Sequence, residues 1–296
     1  RQRHVEALPE EVDGDWLPNA RRATVALSER TLEGLRRRDP EGVDGCDAFV
    51  VVSTSHVGFP SLSRILVAEA GLPPEATCWD LSGLGCAGPS QGLYHAWSLL
   101  QAGAETVCIL FVDTMATWAE ARRWTSPPTM SEIVAHCLAS DGAAGVVLGR
   151  RPGPAPQFSF EGCALATRQW PDSLDQNDFA IRDGQPFLSV GKDIRTRLLD
   201  EAGRVFTPEF VEHPTFLHPG GPDLMKRLAA AHPALAETID VSMSVLLDHG
   251  NLGSASVLFV LEEARRRGLP IDPRFHLFAL GPGIVTTTLR VDGVEA

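Results

Sequence analysis

The sequence has no long apolar run and no recognisable targeting start. A membrane-spanning helix needs about 20 consecutive apolar residues, and no stretch of even about 18 occurs here. A secretory leader begins with basic residues and continues into an apolar segment, a pattern that this chain does not follow. These absences predict a cytoplasmic protein that is neither embedded in a membrane nor secreted.

The cysteine and histidine patterns of disulfide-rich and metal-binding proteins are also missing. The six cysteines, at positions 46, 78, 86, 108, 137 and 163, form no CxxC pair, and the nine histidines show no metal-ligand spacing. A chain of 296 residues can form a core without disulfides, so reduced thiols are expected. The sequence therefore predicts neither a metal site nor a bound cofactor.

Positive charge is scarce as well. The chain carries 26 basic and 38 acidic residues, a net charge of −12, whereas nucleic-acid binding requires a dense basic surface. A nucleic-acid partner is therefore not expected, although a local basic rim could still bind a small anionic substrate. The 44% hydrophobic content is enough for a sizeable core, in two domains or in one pseudo-duplicated unit.

Helical and strand patterns alternate along the chain. Continuous apolar runs at 47–53 and 106–112 predict strands buried on both faces. Further short apolar runs predict strands at 77–81, 144–148, 275–280 and 284–291, and helical periodicity predicts helices at 17–38, 61–70, 88–102, 222–231 and 254–267. This alternation predicts an α/β fold. The Pro/Gly-rich segment at 150–156 suggests one half at 1–150 and another at 151–296, and residues 157–215 follow no clear pattern.

One cysteine stands out because glycines flank it between a predicted strand and a predicted helix. Cys86 lies in Gly83-Leu84-Gly85-Cys86-Ala87-Gly88. The glycines permit a tight turn, and the N-terminus of the following helix directs backbone N–H dipoles toward the sulfur. This arrangement predicts a lowered thiol pKa and a nucleophilic thiolate. The alternative is that Cys86 is a small buried apolar residue, which is the interpretation that fits the other five cysteines.

Two polar residues in the second half lie beside similar glycine-containing turns. His218 lies in Phe216-Leu217-His218-Pro219-Gly220-Gly221, at the end of a short apolar segment. Asn251 lies in HGNLGSAS, directly before an apolar helix. A structural histidine before a Pro-Gly turn and a loop asparagine with a left-handed backbone remain alternatives for each residue taken alone.

Together these motifs resemble the type III polyketide synthases, the chalcone synthase-like family of thiolase-fold condensing enzymes. The resemblance covers most of the chain. It includes Ser53-Thr54-Ser55 with Phe59-Pro60, Asp141-Gly142-Ala143-Ala144, the HPGG sequence at His218, GNLGSAS at Asn251 and Gly281-Pro282-Gly283. The separation of His218 and Asn251, 251 − 218 = 33 residues, also suits the family.

The resemblance implies a layered αβαβα core made of two similar halves, with Cys86 in the first and His218 and Asn251 in the second. Cys86 would take an acyl group from an acyl-CoA, which is a substrate and not a resident cofactor. A malonyl-CoA-type extender would then lose CO2, and His218 and Asn251 would stabilise the enolate that attacks the Cys86 thioester. An asparagine suits this role because its amide donates a hydrogen bond without changing charge.

The resemblance also implies pocket residues and a homodimer. Phe187 resembles a gatekeeping phenylalanine, and Phe59 lies where the family's dimer mate enters the neighbouring cavity. The full set of expected pocket residues is Thr54, Ser55, Phe59, Thr117, Phe187, Leu280, Gly281, Pro282 and Gly283.

The chain departs from the family pattern at several places. The strand and helices that normally open the fold do not precede Arg1, so we expect the natural protein to contain that opening strand. A second gatekeeping phenylalanine is replaced by Ala139, whose space Trp118 could fill, and Ala279-Leu280 replaces the usual Gly-Phe. Starter, extender, number of condensations and cyclisation route therefore stay open.

Two other functions remain as alternatives. The first is a ketoacyl-synthase-III-like acyltransferase that moves the acyl group from Cys86 to an alcohol, an amine or an acyl carrier protein without condensation. The second is a non-enzymatic subunit paired with an active homologue, although all three candidate catalytic positions are filled. A papain-like hydrolase lacks its local signature around the cysteine.

Overall fold

The computed structural model describes residues 16–122, 124, 127–150, 160–191, 194–269, 271 and 274–293. The helices are α1 (Trp16–Arg38), α2 (Pro40–Asp44), α3 (Leu62–Glu69), α4 (Gly88–Gln101), α5 (Met115–Ala121), α6 (Met130–Leu138), α7 (Ile194–Val205), α8 (Pro208–Val211), α9 (Pro222–Ala231), α10 (Ala236–His249) and α11 (Ser256–Arg266). The strands are β1 (Ala48–Ser53), β2 (Thr77–Ser82), β3 (Thr106–Thr114), β4 (Asp141–Gly149), β5 (Phe160–Gln169), β6 (Phe179–Arg182), β7 (Gln185–Leu188), β8 (Thr215–Leu217), β9 (Arg274–Gly281) and β10 (Val285–Gly293). Short 3-10 turns span Gly85–Ala87, Pro233–Leu235 and Gly253–Ala255.

The first sheet has the strand order β2-β1-β3-β4. Strand β1 pairs in parallel with β2 and β3, and β4 pairs antiparallel with β3. Every residue of β1 is buried, because this strand has neighbours on both edges and helices on both faces. The continuous apolar run at 47–53 therefore corresponds to an interior strand, as predicted.

Alternate residues of β1 pack against different helices. Phe49 and Val51 face a cluster that includes Leu32 of α1 and Leu66 of α3. The residues between them face α4 on the other side of the sheet, in a cluster that includes Val50 and Ala96. This alternation is what the two-residue period of a strand requires when both faces are covered.

The second sheet has the strand order β5-β10-β9-β8, with β8 parallel to β9 and the other pairs antiparallel. Helices α4 and α11 lie between the two sheets, because their side chains contact both cores: Leu93 of α4 and Phe259 of α11 pack against each cluster. Residues of α7, α9 and α10 cover the other face of the second sheet. The layers therefore alternate helix, sheet, helix, sheet, helix.

The α/β prediction is confirmed, and the predicted helices and strands are present. The strand predicted at 144–148 is longer and spans Asp141–Gly149. The segment 157–215, which followed no clear pattern, forms among its described residues the strand β5, a hairpin of β6 and β7, and helices α7 and α8. Most of the proposed boundary at 150–156 lies outside the described residues, and the division into 1–150 and 151–296 stays a prediction.

Candidate active site

Cys86 lies in a 3-10 turn that joins β2 to α4. Gly85, at the start of this turn, has φ +50°, and a Cβ atom added there would lie 2.6 Å from Cδ of Pro282. The backbone N–H of Gly85 donates a 2.8 Å hydrogen bond to Oγ1 of Thr54. Glycine is therefore required at 85 both by the left-handed backbone and by the close approach of the loop around Pro282.

Asn251 brings its side chain to the cysteine. Sγ of Cys86 lies 3.9 Å from Oδ1 and 4.0 Å from Nδ2 of Asn251. The asparagine backbone is fixed at both ends, since its N–H donates to the Leu138 carbonyl at 2.8 Å and its carbonyl accepts from the Ser140 N–H at 2.9 Å. Its Oδ1 also accepts from the N–H of Gly253 at 2.9 Å, which orients the carboxamide.

His218 lies at the C-terminal end of β8, in the second sheet. It directly follows β8, and its backbone N–H donates a 2.8 Å hydrogen bond to the carbonyl of Phe278 on β9. Three residues further along β9, a Cβ atom at Gly281 would lie 2.7 Å from Cβ of Ala87 in the cysteine turn. The His218 side chain is buried, and its Nδ1 makes no hydrogen bond to any described residue.

The electrostatics of Cys86 differ from the sequence prediction. We expected a helix N-terminus to lower the thiol pKa, but burial raises the pKa of Cys86 to about 12. The Asp113 carboxylate raises it further, and the Asn251 hydrogen bond lowers it only in part. Protein atoms surround the sulfur although Cys86 keeps some solvent exposure, and this burial outweighs the turn dipoles. The prediction of a lowered thiol pKa is therefore wrong for the unliganded protein.

The pKa of His218 shifts in the opposite direction, from an ordinary value of 6.5 down to about 4, because burial disfavours the charged imidazolium. Cys86 and His218 are therefore both uncharged near neutral pH in the absence of substrate. A thiolate and an imidazolium are therefore not the resting states of these two side chains, and a proton transfer between them stays a prediction.

The predicted pocket residues fall into two groups. In the first group, Thr54, Gly281 and Pro282 contact the cysteine turn, and Ser55, Leu280 and Gly283 are their neighbours in sequence. Ser55 is buried, and its Oγ accepts from the N–H of Thr114 at 2.9 Å. Leu280 is partly buried and packs against the core cluster that includes Leu217.

The second group is held by contacts of its own. The Thr117 hydroxyl donates to the Asp141 carboxylate at 2.7 Å. The ring of Phe187 lies 3.7 Å from the Arg182 guanidinium, and Phe59 is 94% exposed. Gate and pocket roles for these residues stay predictions, and the Lys192-Asp193 pair that follows Phe187 lies outside the described residues.

Trp118 and Ala139 lie in the same part of the core, and the filling of the gatekeeper space by Trp118 stays a prediction. Both residues are buried in one cluster, where Trp118 stacks edge-on against Trp16 at 4.9 Å and lies 4.1 Å from the ring of Phe179. The indole N–H of Trp118 donates to the Ser55 carbonyl at 3.1 Å. A cluster of three aromatic side chains, Trp16, Trp118 and Phe179, therefore packs next to the Thr54-Ser55 segment.

The sequence motifs do not indicate one residue of this region, the buried Asp113 near the end of β3. Its signal is an acidic residue that closes the apolar run TVCILFV, a position where a carboxylate is costly unless it has partners. Across the described residues, no group of three histidine, cysteine or acidic side chains is placed to hold a metal ion. No helix within the described ranges is long and apolar enough to cross a membrane.

The sequence of this chain matches a protein-family model and a known synthase. Residues 189–295 match the family described as chalcone and stilbene synthases, C-terminal domain. The chain is 25% identical over 260 residues to type III polyketide synthase 21 of Oryza sativa subsp. japonica, a match that covers 83% of this chain and 66% of that protein. This chain is related to the type III polyketide synthases.

Two solved structures share the fold of this chain. The structure of CsyB complexed with CoA-SH superposes with a TM-score of 0.77 at 21% identity, covering 94% of this chain and 81% of that chain. The C-terminal type III polyketide synthase domain of Steely1, a type I/III hybrid from Dictyostelium, gives a TM-score of 0.80 at 17% identity, covering 95% and 80%. The thiolase-like fold predicted from the motifs is therefore confirmed. The matched region spans just under two thirds of the rice synthase.

Proposed function

We propose that this chain is a condensing enzyme of the type III polyketide synthase kind. The observation that carries the proposal is the approach of the Asn251 carboxamide to within 4.0 Å of the Cys86 sulfur, across two distant parts of the sequence. A carboxamide beside a thiol supplies a neutral hydrogen-bond donor next to the acyl group that the sulfur would hold. His218, at the C-terminal end of β8, supplies an imidazole that can accept the thiol proton.

Acyl transfer to the enzyme is the first step. The Cys86 proton moves to the neutral imidazole of His218, and the sulfur attacks the carbonyl carbon of an acyl-CoA. The C–S bond to CoA breaks, CoA leaves as the thiol after taking up a proton, and a thioester forms on Cys86. Proton transfer creates both charges together, so their attraction offsets part of the cost of burying each one.

Condensation follows at the same sulfur. A malonyl-CoA-type thioester loses CO2, and the electron pair of the broken C–C bond forms an enolate whose oxygen accepts hydrogen bonds from His218 and Asn251. The enolate carbon attacks the Cys86 thioester, which forms the new C–C bond and expels the Cys86 thiolate. The extended acyl group leaves on CoA. Plain transfer to an alcohol or amine involves no enolate, so it has less need of two hydrogen-bond donors, His218 and Asn251, than condensation has.

The partners that we propose are acyl-CoA and malonyl-CoA-type thioesters and a second copy of this chain. An acyl carrier protein remains the alternative acyl donor. Exposed apolar side chains near the N-terminal end of α3 and on the edge strand β2, Phe59 at 94% and Trp79 at 42%, support a homodimer, because exposed apolar patches mark protein interfaces.

The test follows CO2 release from carboxyl-labelled malonyl-CoA together with acyl adducts on the protein. Cys86→Ala should abolish the acyl adduct, and Cys137→Ala, which changes an exposed cysteine, should leave it intact. Asn251→Ala should keep the adduct but lower condensation by about 100-fold to 1000-fold, the loss typical of one oxyanion donor. Normal condensation by Asn251→Ala, or an adduct that persists in Cys86→Ala, would refute the proposal.

A further inference from the structure

A buried carboxylate lies behind the candidate active site. Asp113 is fully buried at the end of β3, and its carboxylate accepts three backbone hydrogen bonds. Oδ1 accepts from the N–H groups of Thr54 at 2.7 Å and Ser55 at 2.9 Å, and Oδ2 accepts from the N–H of Ser254 at 2.7 Å. All three partners are donors, which favours the ionised, acceptor-only carboxylate and opposes the burial that raises the pKa of Asp113.

One side of this carboxylate leads to the cysteine. The two donors on Oδ1 belong to the segment that follows β1, and the hydroxyl of Thr54 in that segment accepts from the N–H of Gly85 at 2.8 Å. Gly85 immediately precedes Cys86. A path of two hydrogen bonds therefore connects Asp113 to the cysteine turn.

The other side leads to the asparagine. Ser254 lies in the 3-10 turn Gly253–Ala255, three residues after Asn251. Gly253 of this turn has φ +58°, and a Cβ atom there would lie 2.5 Å from Oδ2 of Asp113. The N–H of Gly253 in turn donates to Oδ1 of Asn251 at 2.9 Å. Asp113 therefore contacts the segment that orients the carboxamide.

We propose that Asp113 is a positioning residue, which holds the Cys86 turn and the Asn251 segment at a fixed separation through its three backbone hydrogen bonds. The identity of what it positions rests on the proposed function. The separation matters because a catalytic group misplaced by about 1 Å can cost about 100-fold in rate. The cysteine turn follows β2 and the Asn251 segment joins α10 to α11, so the covalent chain alone does not keep them aligned, and a shared buried acceptor does.

The charge of Asp113 gives the proposal a second, independent readout. The nearby carboxylate raises the pKa of the Cys86 thiol, after burial, which is the larger cause. Asp113 on β3 and His218 after β8 are titratable side chains at this end of the two sheets, and His218 is neutral above a pKa of about 4. Removing the Asp113 charge should therefore shift the thiol titration to lower pH, whereas cutting the Thr54 link should not.

The experiment compares Asp113→Asn with Asp113→Glu, and Thr54→Val with Thr54→Ser. Asp47→Asn is the matched control, because Asp47 also accepts two backbone N–H bonds in the first sheet, from Glu105 at 2.8 Å and Thr106 at 2.9 Å, but at the opposite end of β1. Each full-length variant is titrated by thiolate ultraviolet absorbance, against a Cys86→Ala blank, and assayed for condensation. Thermal unfolding checks that each variant folds.

We expect Asp113→Asn to lower condensation kcat by about 100-fold and to shift the Cys86 titration to lower pH, with partial recovery in Asp113→Glu. Thr54→Val should lose activity without a shift of the Cys86 titration. Thr54→Ser keeps the hydroxyl that accepts from Gly85, so it should recover the activity. If Asp113→Asn does not fold, the Thr54 pair carries the test alone. Activity and titration equal to the Asp47→Asn control would overturn the proposal. The titration needs no substrate, so it stays interpretable if wild-type protein fails to condense malonyl-CoA.

Discussion

The contact between Gly85 and the Pro282 loop makes Gly85→Ala a sharp test of how the cysteine turn is built. An alanine at position 85 must adopt φ +50°, which costs an L-residue about 1–2 kcal/mol. Its Cβ would also lie 2.6 Å from Cδ of Pro282, and such overpacking typically costs about 1–3 kcal/mol. We therefore expect a loss of about 2–5 kcal/mol in the free energy of unfolding, measured in urea.

Gly83→Ala is the matched control for this substitution. Gly83 lies two residues before Gly85 and has φ +74°, but a Cβ atom there would meet nothing within 4 Å. It should therefore cost only the backbone term, about 1–2 kcal/mol. Pro282→Ala combined with Gly85→Ala should recover the difference, and a double-mutant cycle measures that coupling. Equal costs at positions 83 and 85, or no coupling with Pro282, would refute the packing argument.

Two further outcomes follow from burial and exposure. The pKa of His218 falls from 6.5 in the unfolded chain to about 4 in the fold, so the unfolded state binds the proton first, and stability should drop by about 3 kcal/mol as pH falls through that window. The free energy of unfolding, measured in urea at several pH values across this range, should depend less steeply on pH in His218→Gln than in the wild type. The same pH dependence in both proteins would contradict the assignment. The 94% exposed side chain of Phe59 lies outside the core of the monomer, so Phe59→Ser should convert a dimer to monomer in sedimentation without lowering monomer stability. A wild-type monomer would contradict the proposed homodimer.

The first sheet was predictable because its interior strands carry a plain signal. Strands β1 and β3 are continuous apolar runs, and each is buried along almost its whole length between neighbouring strands and two helical layers. Helix α10 was not predicted, although it spans Ala236–His249. Its buried residues fall on more than one face, because it contacts β8, α9 and α11, and a single apolar stripe is therefore absent.

The candidate site was predictable in its residue types and not in its electrostatics. Glycine-rich turns mark Cys86 and Asn251 because each side chain leaves the end of a strand or helix through a left-handed or tight backbone, a requirement visible in the sequence. The thiol pKa depends on burial and on Asp113, which reaches the turn from another strand. A local sequence motif does not show burial or contacts with residues from distant parts of the chain. The partners of Asp113 were hidden for the same reason.

The two turns that flank the active site are built alike. Cys86 is the middle residue of a 3-10 turn that opens with a left-handed glycine and runs directly into α4, and Ser254 is the middle residue of an equivalent turn that runs into α11. Two turns of the same backbone form therefore differ in the exposure of their middle side chains. Ser254 is fully enclosed with its hydroxyl bound to the Val52 carbonyl, whereas the Cys86 side remains partly open. A reactive side chain moved from the Cys86 turn to the Ser254 turn would keep its backbone geometry but lose its access to substrate.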